Sequence, residues 1–139
     1  MGFYHVKAKQ LKKLPATLDH LFAGKMPDTV AGLMRLPGVG RKTANLVASR
    51  AFGRAEICVD THVHRISNRL GLVRTRTPLE TEFKLKRIIP RKYWREINHL
   101  MVAFGQTICR PLRPKCEQCP INRYCRYYKI MVVCAKNRG

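Results

Sequence analysis

The sequence predicts an all-α fold, and three features carry that prediction. Apolar residues recur at three- and four-residue intervals, the spacing of one helix face. Helix-starting residues precede these runs (Asp28, Asp60, and Thr77 with Glu80), and Pro37, Gly71 and Pro90 follow them. No run of alternating apolar and polar residues makes a convincing strand.

In chain order, residues 6–14 form a basic helical stretch that should stop at Pro15. One or two turns over 17–22 should close at Gly24, and Asp28 should cap a short helix through Leu36, ended by Pro37. Gly38-Val39-Gly40 makes a tight turn before a helix over 41–52. Asp60 should cap a helix through Leu70, with Gly71 at the left-handed position that ends it. Thr77-Pro78-Leu79-Glu80 reads as a capping box for a helix running to Ile89. A last long helix over about 92–108 places Trp94, Ile97, Leu100, Met101, Phe104 and Ile108 at helical spacing, which predicts core positions. A cysteine-bearing loop and a short aromatic-basic tail follow.

At 139 residues and 45% hydrophobic content, the chain has the size and apolar content to build a core. Twenty-eight Lys and Arg against eight Asp and Glu give a formal charge of +20, spread along the whole chain. Such self-repulsion is best tolerated beside a polyanion, so nucleic acid is the expected partner. An anionic membrane surface would require an amphipathic anchor that the sequence lacks. No apolar run approaches the roughly 18 residues of a membrane span, and Met1 to Lys7 has no signal-peptide core. The chain is therefore expected inside the cell, in the cytoplasm with the nucleoid.

Six cysteines in an intracellular chain point to metal or catalysis rather than to disulfides. Cys109, Cys116, Cys119 and Cys125 follow C-x6-C-x2-C-x5-C, compact enough for four thiolates to converge on one centre. Zinc usually takes two C-x2-C pairs, whereas this loop has one. Spacing alone leaves a four-thiolate zinc site and an iron–sulfur cluster open, with the cluster slightly ahead. Arg110, Arg113 and Lys115, between Pro111 and Pro114, make the loop a candidate phosphate grip. Cys58 and Cys134 stand apart and read as structural.

Pro37, Gly38, Val39 and Gly40 lie between two apolar helices and precede Arg41, Lys42 and Thr43. Glycines let main-chain N–H groups approach a phosphate, and the next helix adds its positive end. This is the logic of a helix-hairpin-helix grip on DNA. Lys42 reads first as a phosphate contact. The positive helix end and neighbouring cations also favour its neutral, nucleophilic form. Asp60, eighteen positions later, reads first as an N-cap and second as a carboxylate able to stabilise positive charge on a sugar.

Together these segments resemble the endonuclease III family of helix-hairpin-helix DNA glycosylases, with wording similar to archaeal members. The resemblance rests on Leu36-Pro37-Gly38-Val39-Gly40-Arg41-Lys42-Thr43-Ala44-Asn45, Val59-Asp60-Thr61-His62-Val63, residues 65–69 and the cysteine spacing. It implies a base-excision-repair glycosylase with abasic-site lyase activity on double-stranded DNA carrying oxidised pyrimidines or abasic sites. Lys42 would attack the sugar C1′, Asp60 would assist, and the strand would be nicked 3′ to the lesion by β-elimination. It also implies a [4Fe–4S] cluster on Cys109, Cys116, Cys119 and Cys125, and an apolar wedge near Phe3. Residues 1–71 would be a partial catalytic domain and 72–139 the cluster domain. Family members carry roughly a further third of chain before the position of Met1, so the chain is expected to be monomeric unless that part is supplied in trans. A non-enzymatic DNA-binding module and a thymine or adenine mismatch glycosylase are the competing expectations.

Overall fold

The computed structural model describes residues 4–133; Phe3 and Cys134 lie outside that span. Among the described residues the architecture is helical, with no strand. The α-helices are α1 (Tyr4–Phe22), α2 (Val30–Leu33), α3 (Arg41–Ala51), α4 (Thr61–Leu70), α5 (Pro78–Ile88) and α6 (Trp94–Thr107). The chain divides into two units, Met1–Cys58 and Val59–Gly139.

In the first unit, Pro15 does not stop the helix: α1 runs through it to Phe22. An interior proline costs about 3 kcal/mol, so another contribution must hold the helix together. Leu14, Leu18 and Phe22, on one stripe at four-residue spacing, pack against buried Leu33, Leu36, Ala44 and Ala48. Tertiary packing on both sides of Pro15 outweighs its local preference.

The start of α2 also differs from expectation. Thr29, not Asp28, is the N-cap, its hydroxyl accepting the Gly32 N–H at 3.1 Å. Asp28 pairs instead with Arg54. The helix ends at Leu33 and the chain turns through 34–38. Buried Asn45 donates from Nδ2 to the Ile57 carbonyl at 3.1 Å, fastening the segment after α3 to that helix.

In the second unit the local signals hold. Asp60 Oδ1 accepts the Val63 N–H at 2.8 Å, and Gly71 closes α4 at φ +86°. Thr77 Oγ1 accepts the Glu80 N–H at 3.2 Å, while Glu80 reaches back one residue further than a capping box requires, to the Arg76 N–H. A 3-10 turn, Arg91–Tyr93, precedes α6. The expected core positions of α6 are a correction. Leu100 is 56% exposed, Trp94, Ile97, Met101, Phe104 and Ile108 are half-buried, and Gly105 is the buried residue of that helix. The reason is close approach: Gly105 lies against His62, Arg65 and Ile66 of α4 with no room for a Cβ. Leu100 lies off this contact stripe.

Candidate functional site

The hairpin leads into α3 through two glycines with different tasks. Gly38 has φ +79°, and a Cβ there would fall 2.6 Å from Gln10 Oε1 of α1. Gly40 is the N-cap of α3 and offers no side chain to it. The first turn of α3 thus lacks the side-chain acceptor that Thr29, Asp60 and Thr77 give to α2, α4 and α5. A helix start of that kind suits an external anion. Lys42 and Thr43 are exposed there, Arg41, Pro37 and Val39 are half-buried, and Gly38 and Gly40 are exposed.

Beside that turn, the buried Cys58 thiol donates to the Lys42 carbonyl at 3.4 Å. Asp60, two residues further along the chain, is half-buried and belongs to the second unit.

The second unit also holds the cysteine loop. Cys109, Cys116, Cys119 and Cys125 are free thiols, and all four line one small cavity. Leu70, Phe104, Ile108 and Pro114 supply apolar wall, and Arg69 and Lys115 the charged residues. Burial pushes the Cys116 thiol up from its ordinary range, with Cys109, Cys125 and Cys119 adding to the effect and Arg69 opposing it.

Four thiols lining one cavity are a donor set that zinc and an iron–sulfur cluster both accept. Among the described residues no three His, Cys, Asp or Glu side chains are already close enough together to hold a metal ion.

Arginines of α4 tie the loop down, a role that no short motif announces. Arg69 Nη1 donates to the Arg110 carbonyl at 2.6 Å and approaches Cys109 Sγ at 3.5 Å. Its Nη2 donates to the Pro111 carbonyl at 2.8 Å, and the guanidinium lies 4.8 Å from the Tyr127 ring centre. Arg65 Nη2 donates to the Cys109 carbonyl at 2.9 Å. Asn122 Nδ2 donates to the Cys116 carbonyl at 3.2 Å. The spacing of residues 65–69 carried no hint of these bonds, which span forty or more positions.

Arg110, Arg113 and Lys115 are exposed on the loop. Arg113 takes φ +50°, and Leu112, 84% exposed, stands between these cations in the chain. No helix is long and apolar enough to cross a membrane among the described residues.

A family model described as HhH-GPD superfamily base excision DNA repair protein matches residues 1–91. Endonuclease III of Thermotoga maritima is 48% identical over 128 residues, which is 92% of this chain and 60% of that protein. A solved structure of a trapped endonuclease III–DNA covalent intermediate is 46% identical with a TM-score of 0.85, covering 92% of this chain and 61% of that one. A thermostable thymine-DNA glycosylase structure is 29% identical with a TM-score of 0.77, at 92% and 61% coverage. The chain thus spans about 60% of the length of relatives that it matches nearly throughout.

Proposed function

Because the chain belongs to the HhH-GPD superfamily of base excision DNA repair proteins, we propose that it is a bifunctional glycosylase and abasic-site lyase acting on oxidised pyrimidines in duplex DNA. The observation that carries this reading is Lys42, exposed in the first turn of a helix whose N-terminus has no side-chain cap. Endonuclease III proteins are its relatives, and one similar structure is of a covalent endonuclease III–DNA intermediate.

The hairpin main chain holds a phosphate of the damaged strand, with Arg41 and Thr43 beside it, while the lesion is flipped out of the stack. Lys42 Nζ attacks the sugar C1′. The bond from C1′ to the base breaks, and the base leaves with the bonding pair. The Asp60 carboxylate stabilises the positive charge developing on the sugar and helps move protons. Ring opening gives a Schiff base between Lys42 and C1′. Loss of a C2′ proton expels the 3′ phosphate, and water then releases the lysine.

Cys109, Cys116, Cys119 and Cys125 would hold a [4Fe–4S] cluster. When bound, that cluster supplies a rigid anchor for the loop rather than a reactant. Arg110, Arg113 and Lys115 on the loop then meet the DNA backbone. Functionally, residues 1–71 make the catalytic part and 72–139 the cluster part of a monomer. Phe3 would enter the gap left by the flipped nucleotide.

Borohydride trapping on abasic-site DNA tests the chemistry. A covalent adduct that disappears in Lys42→Ala supports it. Salt-sensitive duplex binding with no adduct would identify a non-enzymatic DNA-binding module instead.

A further inference from the structure

The connection between α4 and α5 borders an open depression in the second unit, lined by Arg74, Arg76 and Arg126. Glu80 is the one carboxylate among its lining residues, and Oε2 of that carboxylate already accepts the Arg76 N–H at 3.0 Å. None of the three guanidinium groups has a hydrogen-bond, ion-pair or ring partner among the described residues. Three arginines that line one depression without a side-chain partner concentrate positive charge there, which favours an anion.

The framework of this depression is built rather than incidental. Asn68 Oδ1 accepts the Thr75 N–H at 2.9 Å, and Asn68 Nδ2 donates to Thr75 Oγ1 at 2.9 Å. Thr75 Oγ1 in turn lies 2.6 Å from Thr81 Oγ1, which is 2.7 Å from His64 Nδ1. This network fixes the connection on which Arg74 and Arg76 sit. Arg126 is seated separately: a Cβ on Gly71 would come within 3.0 Å of Arg126 Cβ and 3.3 Å of its Cδ. The arginine stem therefore lies along the Gly71 main chain, and any side chain there would push it away.

Guanidinium forks match the oxygens of a phosphate, and each can donate two parallel hydrogen bonds. Sites for small molecules bury most of their ligand, whereas this depression lies open to solvent. An open cationic seat suits a phosphate within a long chain that passes across it. We infer that the Arg74, Arg76 and Arg126 depression seats a backbone phosphodiester of bound DNA, a contact separate from the hairpin and the cysteine loop. The inference rests on the DNA-binding part of the function proposed above and is independent of the chemistry at Lys42.

The test measures affinity of the full chain, as purified with its metal, for an undamaged duplex across a salt series. Compared are Arg126→Ala, the Arg74→Ala/Arg126→Ala pair, and Arg91→Ala as an exposed arginine outside the depression. One lost phosphate contact should lower the slope of log affinity against log salt by about one in Arg126→Ala. Low-salt affinity should fall about tenfold in the pair, with Arg91→Ala changing little. Arg126→Lys, which keeps charge without the fork, should lie between and guards against a folding artefact.

Equal losses in Arg91→Ala, or an unchanged slope in the pair, would overturn the inference. Inorganic phosphate titrated without DNA separates the sources of the anion. Saturable phosphate binding that Arg126→Ala abolishes, with an unchanged DNA slope, would mark a free-anion site and reject the phosphodiester. Absence of a borohydride adduct with the slope effect intact would reject the Lys42 chemistry and leave this contact standing.

Discussion

Arg69 Nη1 stands 3.5 Å from Cys109 Sγ, and the same nitrogen donates to the carbonyl of the next residue, Arg110, at 2.6 Å. One guanidinium on α4 thus addresses both a sulfur of the cavity and the main chain that carries the loop's first cation. The Arg69 carbonyl also accepts from the Cys125 thiol at 3.4 Å, so a single residue touches the first and last cysteines of the motif.

Arg69→Ala should loosen the loop. A hydrogen bond to a charged group contributes about 1.5–3 kcal/mol, less where water competes. With the proposed iron–sulfur cluster on the four thiols, the expected outcome is a lower iron-to-protein ratio, weaker visible absorption and faster proteolysis between Cys109 and Cys116. Arg69→Lys should recover little of this, because one ammonium cannot reach Arg110, Pro111 and Cys109 together. Full iron content in Arg69→Ala would count against the tethering role.

Gly105→Ala should destabilise the second unit more than a surface alanine would. A Cβ there would press on His62 Nδ1 and lie 2.9 Å from Arg65 Nη2 and 3.1 Å from Ile66 Cδ1. The shift needed would also disturb the Arg65 bond to the Cys109 carbonyl. Overpacking of this kind costs about 1–3 kcal/mol. Thermal unfolding checks it, and a melting temperature equal to the parent's would refute the close contact.

Some of this organisation was legible from local chemistry. Asp60, Gly71 and Thr77 announce helix ends because a cap needs only the few residues beside it. The four cysteines line one cavity, since a short loop can bring its own residues to one side, but among the described residues they are not grouped as metal ligands. Pro15 misled because its cost is local, while the compensation from Leu14, Leu18 and Phe22 depends on α2 and α3 packing against them. Asp28 misled for a related reason: its carboxylate is taken by Arg54, and Thr29 caps in its place. Helical spacing in α6 marked an apolar face without showing what covers it, so Leu100 lies exposed although Gly105 is buried. The bonds of Arg65 and Arg69 to the loop join residues forty or more positions apart and leave no periodic trace.

Gly38→Ala should weaken DNA binding by disturbing the hairpin. The position has φ +79°, and the new Cβ would meet Gln10 at 2.6 Å from Oε1 and 2.9 Å from Cδ. A non-glycine residue in that left-handed region costs on the order of 1 kcal/mol before any clash is counted. The expected result is a severalfold loss of duplex affinity with the spectrum of the proposed cluster unchanged, since the hairpin and the cysteines lie in different units. Gln10→Ala combined with Gly38→Ala should relieve the clash but not the backbone cost. A double variant with full parental affinity would show that the clash alone mattered.

Asp60 offers the sharpest separation of structure from chemistry, because its cap is observed and its catalytic part is proposed. Its Oδ1 accepts the Val63 N–H at 2.8 Å, and replacing such a cap by alanine costs about 0.5–2 kcal/mol. Asparagine caps nearly as well as aspartate, so Asp60→Asn should melt close to the parent while Asp60→Ala melts lower. If the carboxylate charge stabilises the developing positive sugar, both variants should excise a damaged base at least about 100-fold more slowly, by analogy with loss of one preorganised electrostatic partner. Single-turnover excision beside thermal melting reads the two roles separately. Slow excision in Asp60→Asn at parental stability assigns the charge to the reaction, whereas rates that follow melting temperature would leave Asp60 as a cap alone.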